Sequence, residues 1–160
     1  MATTLPVPIE FSLPAGWLSA PPDEVGAPQA AFVALHPGSA AGFTANVTIS
    51  GEVRTDVTLA EVAAEAVARL ERGVGQVEVG RRNELESAYT QVVRMTVPID
   101  GRPVELVQLQ VFLAMPDVRD ESRRAVLEIV LSATPEQFED LVGDFQAFLE
   151  TIRPDEGVAR

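Results

Sequence analysis

The pair Asp100-Gly101 stands between two long runs of alternating apolar and polar residues, Ala88 to Val97 and Val104 to Met115. Asp-Gly accepts the positive φ angles of a tight two-residue turn, so the segment Ile99-Asp100-Gly101-Arg102 predicts an antiparallel hairpin. In the first run Tyr89, Val93, Met95 and Val97 fall largely on one face, and in the second Val107, Leu109, Val111, Leu113 and Met115 do the same. Gln76 to Glu86 reads as a strand before the hairpin, and Ala125 to Ala133 as one after it, with Leu127, Ile129 and Leu131 on one side.

Two segments carry helix-start signatures. Thr58-Leu59-Ala60-Glu61 and Thr134-Pro135-Glu136-Gln137 have the spacing of capping boxes, in which the Thr hydroxyl accepts from the third helical amide and the Glu or Gln reaches back to the cap amide. Pro135 sits at the first helical position, where its missing N–H costs nothing. Leu59, Val62, Ala63, Ala66, Val67 and Leu70 then recur at three and four residues, and Gly73 is expected to end that helix. Phe138, Leu141, Val142, Phe145, Phe148, Leu149 and Ile152 make the second stripe, stopped by Pro154.

Upstream, Ile9, Phe11 and Leu13 alternate as in a half-buried strand, and Pro14-Ala15-Gly16 turns the chain. Pro21 to Pro28 reads as a loop, Ala30 to Leu35 as a strand ending at His36-Pro37-Gly38, and Phe43 to about Val53 as another strand. Pro116 to Arg124 reads as a solvated loop. The order β-β-β-α-β-β-β-β-α predicts an α+β fold, an antiparallel sheet of about six to seven strands flanked by two amphipathic helices. The 160 residues fit a single domain spanning 1–160, with an ordered core of about 9–154 and short flexible termini.

Composition narrows the chemistry. With no cysteine there is no disulfide, thiol nucleophile or thiolate metal site. Twelve basic against 24 acidic residues leave a net charge of −12, which repels nucleic acid and anionic membrane surfaces and leaves a cationic partner open. No apolar run approaches the ~18 residues of a membrane span. Met1 to Pro8 lacks the basic start of a signal peptide, so the expected location is cytoplasmic.

His36 is the only histidine and reads as a turn residue before Pro37, and Gly73-Val74-Gly75 lacks the preceding strand of a phosphate loop. Most carboxylates fall in loops or on polar helix faces, and no catalytic, cofactor or metal residue is assigned. Glu128 is different, because it lies inside the most apolar strand and opposite to Leu127, Ile129 and Leu131. If the strands pair as a meander, its face carries Thr90, Val92, Arg94, Thr96, Leu106, Gln108, Gln110, Phe112, Val126 and Val130. Such a mixed face is either covered by a helix or loop, with Arg94 pairing Glu128, or it is a partner groove. The candidate partner-binding residues are Arg94, Leu106, Gln108, Gln110, Phe112 and Glu128, for a protein partner presenting a hydrophobic or cationic segment. The alternative is a carrier of a small apolar ligand in a closed cavity lined by Phe112, Leu106 and Val126. A hydrolase would need Glu128 with a second carboxylate in a deep cleft. Trp17 reads as a plug at the core edge.

Phe11-Ser-Leu-Pro-Ala-Gly-Trp17, Phe43-Thr-Ala-Asn-Val-Thr48, the Leu-x-x-Val helix start and the Phe-rich last helix ending at Ile-Arg-Pro154 together resemble the PsbP-like superfamily, in particular its LpqN-type and DcrB-like groups. The resemblance covers about residues 9 to 154. It implies an antiparallel sheet flanked by helices and non-catalytic binding, as in photosystem accessory proteins, a Ran-binding nuclear factor, bacterial lipoproteins and cytoplasmic chaperones of secreted effectors. The chain departs from the LpqN pattern in having no lipid-bearing cysteine. The resemblance therefore implies a non-enzymatic binding or adaptor protein associated with a bacterial secretion or envelope system.

Overall fold

Asp100 (φ 51°) and Gly101 (φ 78°) both take the left-handed conformation, which makes the two-residue turn a type I′ hairpin. The turn belongs to a computed structural model that describes residues 9–22, 30–39, 43–55, 57–116 and 123–154. Most of the expected loop at Pro21 to Pro28, most of the one at Pro116 to Arg124, and both terminal tails lie outside the described residues.

In chain order the elements are β1 (Ile9–Glu10), β2 (Leu18–Ala20), β3 (Phe32–Leu35), β4 (Asn46–Thr55), α1 (Leu59–Val74), β5 (Val77–Glu84), β6 (Ala88–Ile99), β7 (Arg102–Pro116), β8 (Arg123–Ala133), α2 (Pro135–Thr151) and β9 (Arg153–Pro154). Seven strands form one antiparallel sheet in the order β2-β3-β4-β8-β7-β6-β5. The first three strands wind toward the sheet centre, α1 carries the chain to the far edge, and β5 to β8 wind back until β8 closes on β4. This is the predicted α+β sheet with two helices.

Both capping boxes form. Thr58 Oγ1 accepts from the Glu61 amide at 3.1 Å while Glu61 takes the Thr58 amide, and Thr134 and Gln137 do the same at the start of α2. The first helix runs past Gly73 to Val74. The residue that ends it is Gly75, whose φ of 87° turns the chain out of the helix while its N–H still bonds Glu71.

The helices lie on opposite faces of the sheet. Leu141, Phe145 and Phe148 of α2 pack on Val47, Ile49, Val111, Ile129 and Leu131, with Trp17 closing one side. Burial of each such side chain is worth on the order of 1.5–3 kcal/mol before chain entropy is subtracted. On the other face, Val62, Ala63 and Ala66 of α1 meet Tyr89, Phe112 and Val126, while Val67, Leu70 and Val74 meet Val93, Met95 and Leu106. Alanine at 63 and 66 brings the helix backbone close to the sheet.

One expectation is corrected at the N-terminus. Ile9 to Leu13 is not a strand of the main sheet: only Ile9 and Glu10 pair, and their partner is β9. The alternation there reports burial, because Ile9, Phe11 and Leu13 all pack on the α2 cluster, with the Phe11 ring 4.7 Å from Phe32 and 5.3 Å from Phe148. The edge strand is instead the short β2.

Candidate functional site: a groove beside the first helix

The hairpin turn decides which residues share a face. Because Ile99 pairs with Arg102, every odd-numbered residue of β6 stands beside an even-numbered residue of β7. The face that carries Gln108, Gln110 and Phe112 is therefore completed by Tyr89, Gln91, Val93 and Met95, not by Thr90, Val92, Arg94 and Thr96. Arg94 is exposed on the opposite face, beside Val107, and it does not pair with Glu128. This corrects the expectation for Arg94.

Two other expected site residues are also relocated. Phe112 is fully buried beneath α1 with Val62 and Ala66, and Leu106 is buried with Val93 and Met95. They hold the helix on the sheet; Leu106 also lines, with Arg94 and Val74, a separate surface pocket of about 360 Å³ that does not include Phe112 or Val126. The mixed face thus divides in two: α1 covers its β5–β6–β7 half together with Val126 of β8, and among the described residues a narrow groove is left between α1 and β4.

That groove has a volume of about 680 Å³. Its floor is Gln108, Gln110, Val126, Glu128, Val130 and Ser132. One wall is β4, through Asn46, Thr48, Ser50 and Glu52, and the other is α1, through Val62, Ala66, Arg69 and Leu70. Of the expected residues, Gln108, Gln110 and Glu128 meet here. Polar β4 residues alternate with Val47 and Ile49, which pack under α2, so pleating turns Asn46, Thr48, Ser50 and Glu52 toward the groove.

A chain of amides runs along the floor. Gln91 Nε2 donates to the backbone carbonyl of Ala63 at 3.1 Å and to Gln110 Oε1 at 2.7 Å. Gln110 Nε2 donates to Gln108 Oε1 at 2.9 Å, and Gln108 Nε2 to Ser132 Oγ at 3.1 Å. Gln91 and Gln110 are fully buried, so these bonds offset the desolvation of two amides inside an otherwise apolar layer.

At the other end of the floor, Glu128 Oε2 accepts from Arg69 Nη2 at 3.1 Å. Burial beneath α1 pushes the Glu128 carboxyl above its ordinary range; Arg69 pulls it back down and Glu52 adds to the rise. Arg54 bridges β4 and α1 at the same end, with both its Nη atoms 2.8 Å from the Glu65 carboxylate and Nη1 also 2.9 Å from Glu52. These bonds hold Glu65 below the usual carboxylate range and raise Arg54. The two carboxylates lining the groove, Glu52 and Glu128, thus each hold an arginine.

The sequence reading missed Arg69 and the β4 wall. The signal was present: Val62, Ala66 and Arg69 recur at four and three residues, which puts an arginine on the inward stripe of α1. His36 lies with Trp17 on the α2 side, the rings 5.0 Å apart, away from the groove. Among the described residues no three His, Cys, Asp or Glu side chains gather as metal ligands, and no helix is long and apolar enough to cross a membrane.

No family model matches the sequence, and no curated protein does. Solved structures do. LpqN of Mycobacterium tuberculosis, involved in cell envelope biogenesis, superposes with a TM-score of 0.62 at 16% identity, covering 93% of this chain and 86% of LpqN. Cyanobacterial PsbP from Synechocystis sp. PCC 6803 matches with a TM-score of 0.50 at 13% identity, covering 92% of this chain and 86% of its own. The chain has the PsbP-like fold. The same PsbP-like fold is shared with PA94 of Pseudomonas aeruginosa, at a TM-score of 0.55 and 19% identity over 77% of this chain and 81% of PA94. At these identities the likeness is one of PsbP-like architecture.

Proposed function

We propose that this chain is a non-enzymatic binding protein of the adaptor kind, acting in the cytoplasm in association with a bacterial secretion or envelope system, and that its α1-side groove receives a segment of a protein partner. The observation that carries this reading is the groove of about 680 Å³ between α1 and β4, with an amide floor. A sheet face left half covered by its helix offers a second helix-sized or strand-sized element a place to lie.

Three further observations support it. The net charge of −12 disfavours polyanionic partners. Glu52 and Glu128 are each bonded to an arginine, whereas a general acid or base must exchange its proton with a substrate. LpqN, which has the same fold, is involved in cell envelope biogenesis.

The test is to fill the groove from its β4 wall with Thr48→Trp and Ser50→Trp together, both on half-buried positions. The wild-type chain should retain one partner protein from the native host that then binds it when both are purified. The double variant should keep its melting temperature and lose that partner. Equal binding by both would exclude the groove as the site.

A further inference from the structure

The amide chain on the groove floor has a direction, and the direction is fixed. Ala63 contributes a backbone carbonyl, which can only accept, so Gln91 must present Nε2 to it. The second Nε2 hydrogen of Gln91 then meets Gln110 Oε1, which turns Gln110 Nε2 toward Gln108 and Gln108 Nε2 toward Ser132. Every amide is thereby set with its donor side facing the groove end of the chain. Ser132 is only 8% exposed and accepts from Gln108; among the described residues nothing accepts its own hydroxyl proton. One hydrogen of Gln108 Nε2 is likewise left over. The floor therefore ends in two donors, which calls for an acceptor such as a peptide carbonyl.

The opposite end of the floor has the reverse need. The Glu128 side chain is 21% exposed and holds Arg69 through Oε2 alone, and Arg69 is itself half exposed. Among the described residues no donor reaches Oε1. A largely desolvated carboxylate with one oxygen unbonded is incompletely compensated, and a second cation arriving from the groove would complete it. Glu128 and Ser132 are four residues apart on β8, which separates the two ends by about 13 Å.

From these two ends we propose that the groove takes a peptide segment bearing a lysine or arginine: the cation bonds Glu128, and a backbone carbonyl about four residues along accepts from Ser132 and Gln108. This rests on reading the groove as a binding site and adds the chemistry of its occupant. Val130 between the ends, with Ala66 and Leu70 on the α1 wall, suits small apolar side chains on the segment. Among the described lining residues none is aromatic, so a sugar would find no stacking surface, and the net charge of −12 disfavours a phosphate.

The experiment titrates three capped pentapeptides, acetyl-Lys-Ala-Val-Ala-Val-amide and the same sequence beginning with norleucine or glutamate, while following the side-chain amide resonances of Gln108 and Gln110. The lysine peptide should shift both and bind about tenfold more tightly than the norleucine peptide. Glu128→Gln should abolish that preference without moving the backbone spectrum, and Ser132→Ala should weaken both peptides several-fold. Equal binding of the lysine and norleucine peptides would overturn the cation site and leave the groove reading standing. Tighter binding of the glutamate peptide, or no shift with any peptide, would overturn the proposed occupant altogether. The groove itself falls only if the Thr48→Trp, Ser50→Trp variant keeps its protein partner.

Discussion

The indole Nε1 of Trp17 donates to Asp144 Oδ2 at 3.0 Å, joining the residue just before β2 to α2 across 127 positions of the chain. The ring is buried in the α2 cluster, and its polar edge finds a carboxylate at the rim. This aromatic anchor adds to the three paired positions that tie the short edge strand β2 to β3.

Removing the acceptor with Asp144→Ala should cost about 1–2 kcal/mol, because a buried N–H is left unbonded. Asp144→Asn keeps an oxygen and should recover most of that loss. Urea unfolding followed by the fluorescence of Trp17, the single tryptophan, measures both.

The amide chain makes a prediction about coupling. Gln91→Leu and Gln110→Leu should each destabilise the fold by about 1–3 kcal/mol, since each strands a buried partner. The double variant should lose less than the sum, with a coupling of roughly 0.5–3 kcal/mol, because their shared bond at 2.7 Å is broken only once. Additive losses would mean that the two amides do not act as a unit.

Glu128 gives the stability a pH signature. Its carboxyl is raised above the ordinary 4.5, so the folded state holds its proton to higher pH than the unfolded chain does. Stability from this group is present below the unfolded value and declines as pH rises through the folded one. Glu128→Gln cannot ionise, so its stability relative to wild type should improve as pH increases from about 4 to 7. Glu65, held low by Arg54, has the opposite sign: its contribution is present above the unfolded value and lost on acidification. Chemical denaturation of wild type, Glu128→Gln and Glu65→Gln at several pH values separates the two trends.

Phe145 tests the α2 layer. It is almost fully buried among Val47, Ile49 and Leu131, and Phe145→Ala should cost about 3–5 kcal/mol. Phe145→Asp should prevent folding outright. A soluble aspartate variant with an unchanged melting temperature would refute the packing of α2 on the sheet.

Both helices could be read from their capping boxes, and the central hairpin from Asp100-Gly101, because each of those signals is local and its bonding partner lies within three residues. The strands β2 and β9 could not, and of the expected strand at Ile9 to Leu13 only Ile9 and Glu10 pair. These elements are two or three residues long, and their pairings are made by segments distant in sequence, which periodicity does not report. The groove was half legible. Gln108, Gln110 and Glu128 share a face because β7 and β8 pair even with even. The misplacement of Arg94 came from treating β6 as if its turn preserved that parity, although a two-residue turn reverses it. That α1 would cover Phe112 and leave Gln108 at its margin depends on where a helix settles on a sheet, which side-chain spacing alone does not specify.

Ile9 stands directly opposite Pro154, and the Ser12 amide donates to Thr151 Oγ1 at 3.0 Å just inside them. Polypeptide therefore enters and leaves this unit through a single doorway. A protein whose surface loop were opened to receive the stretch from residue 9 to residue 154 would find its own two cut ends still side by side. Entry and exit placed side by side are the geometry that insertion into a host loop requires.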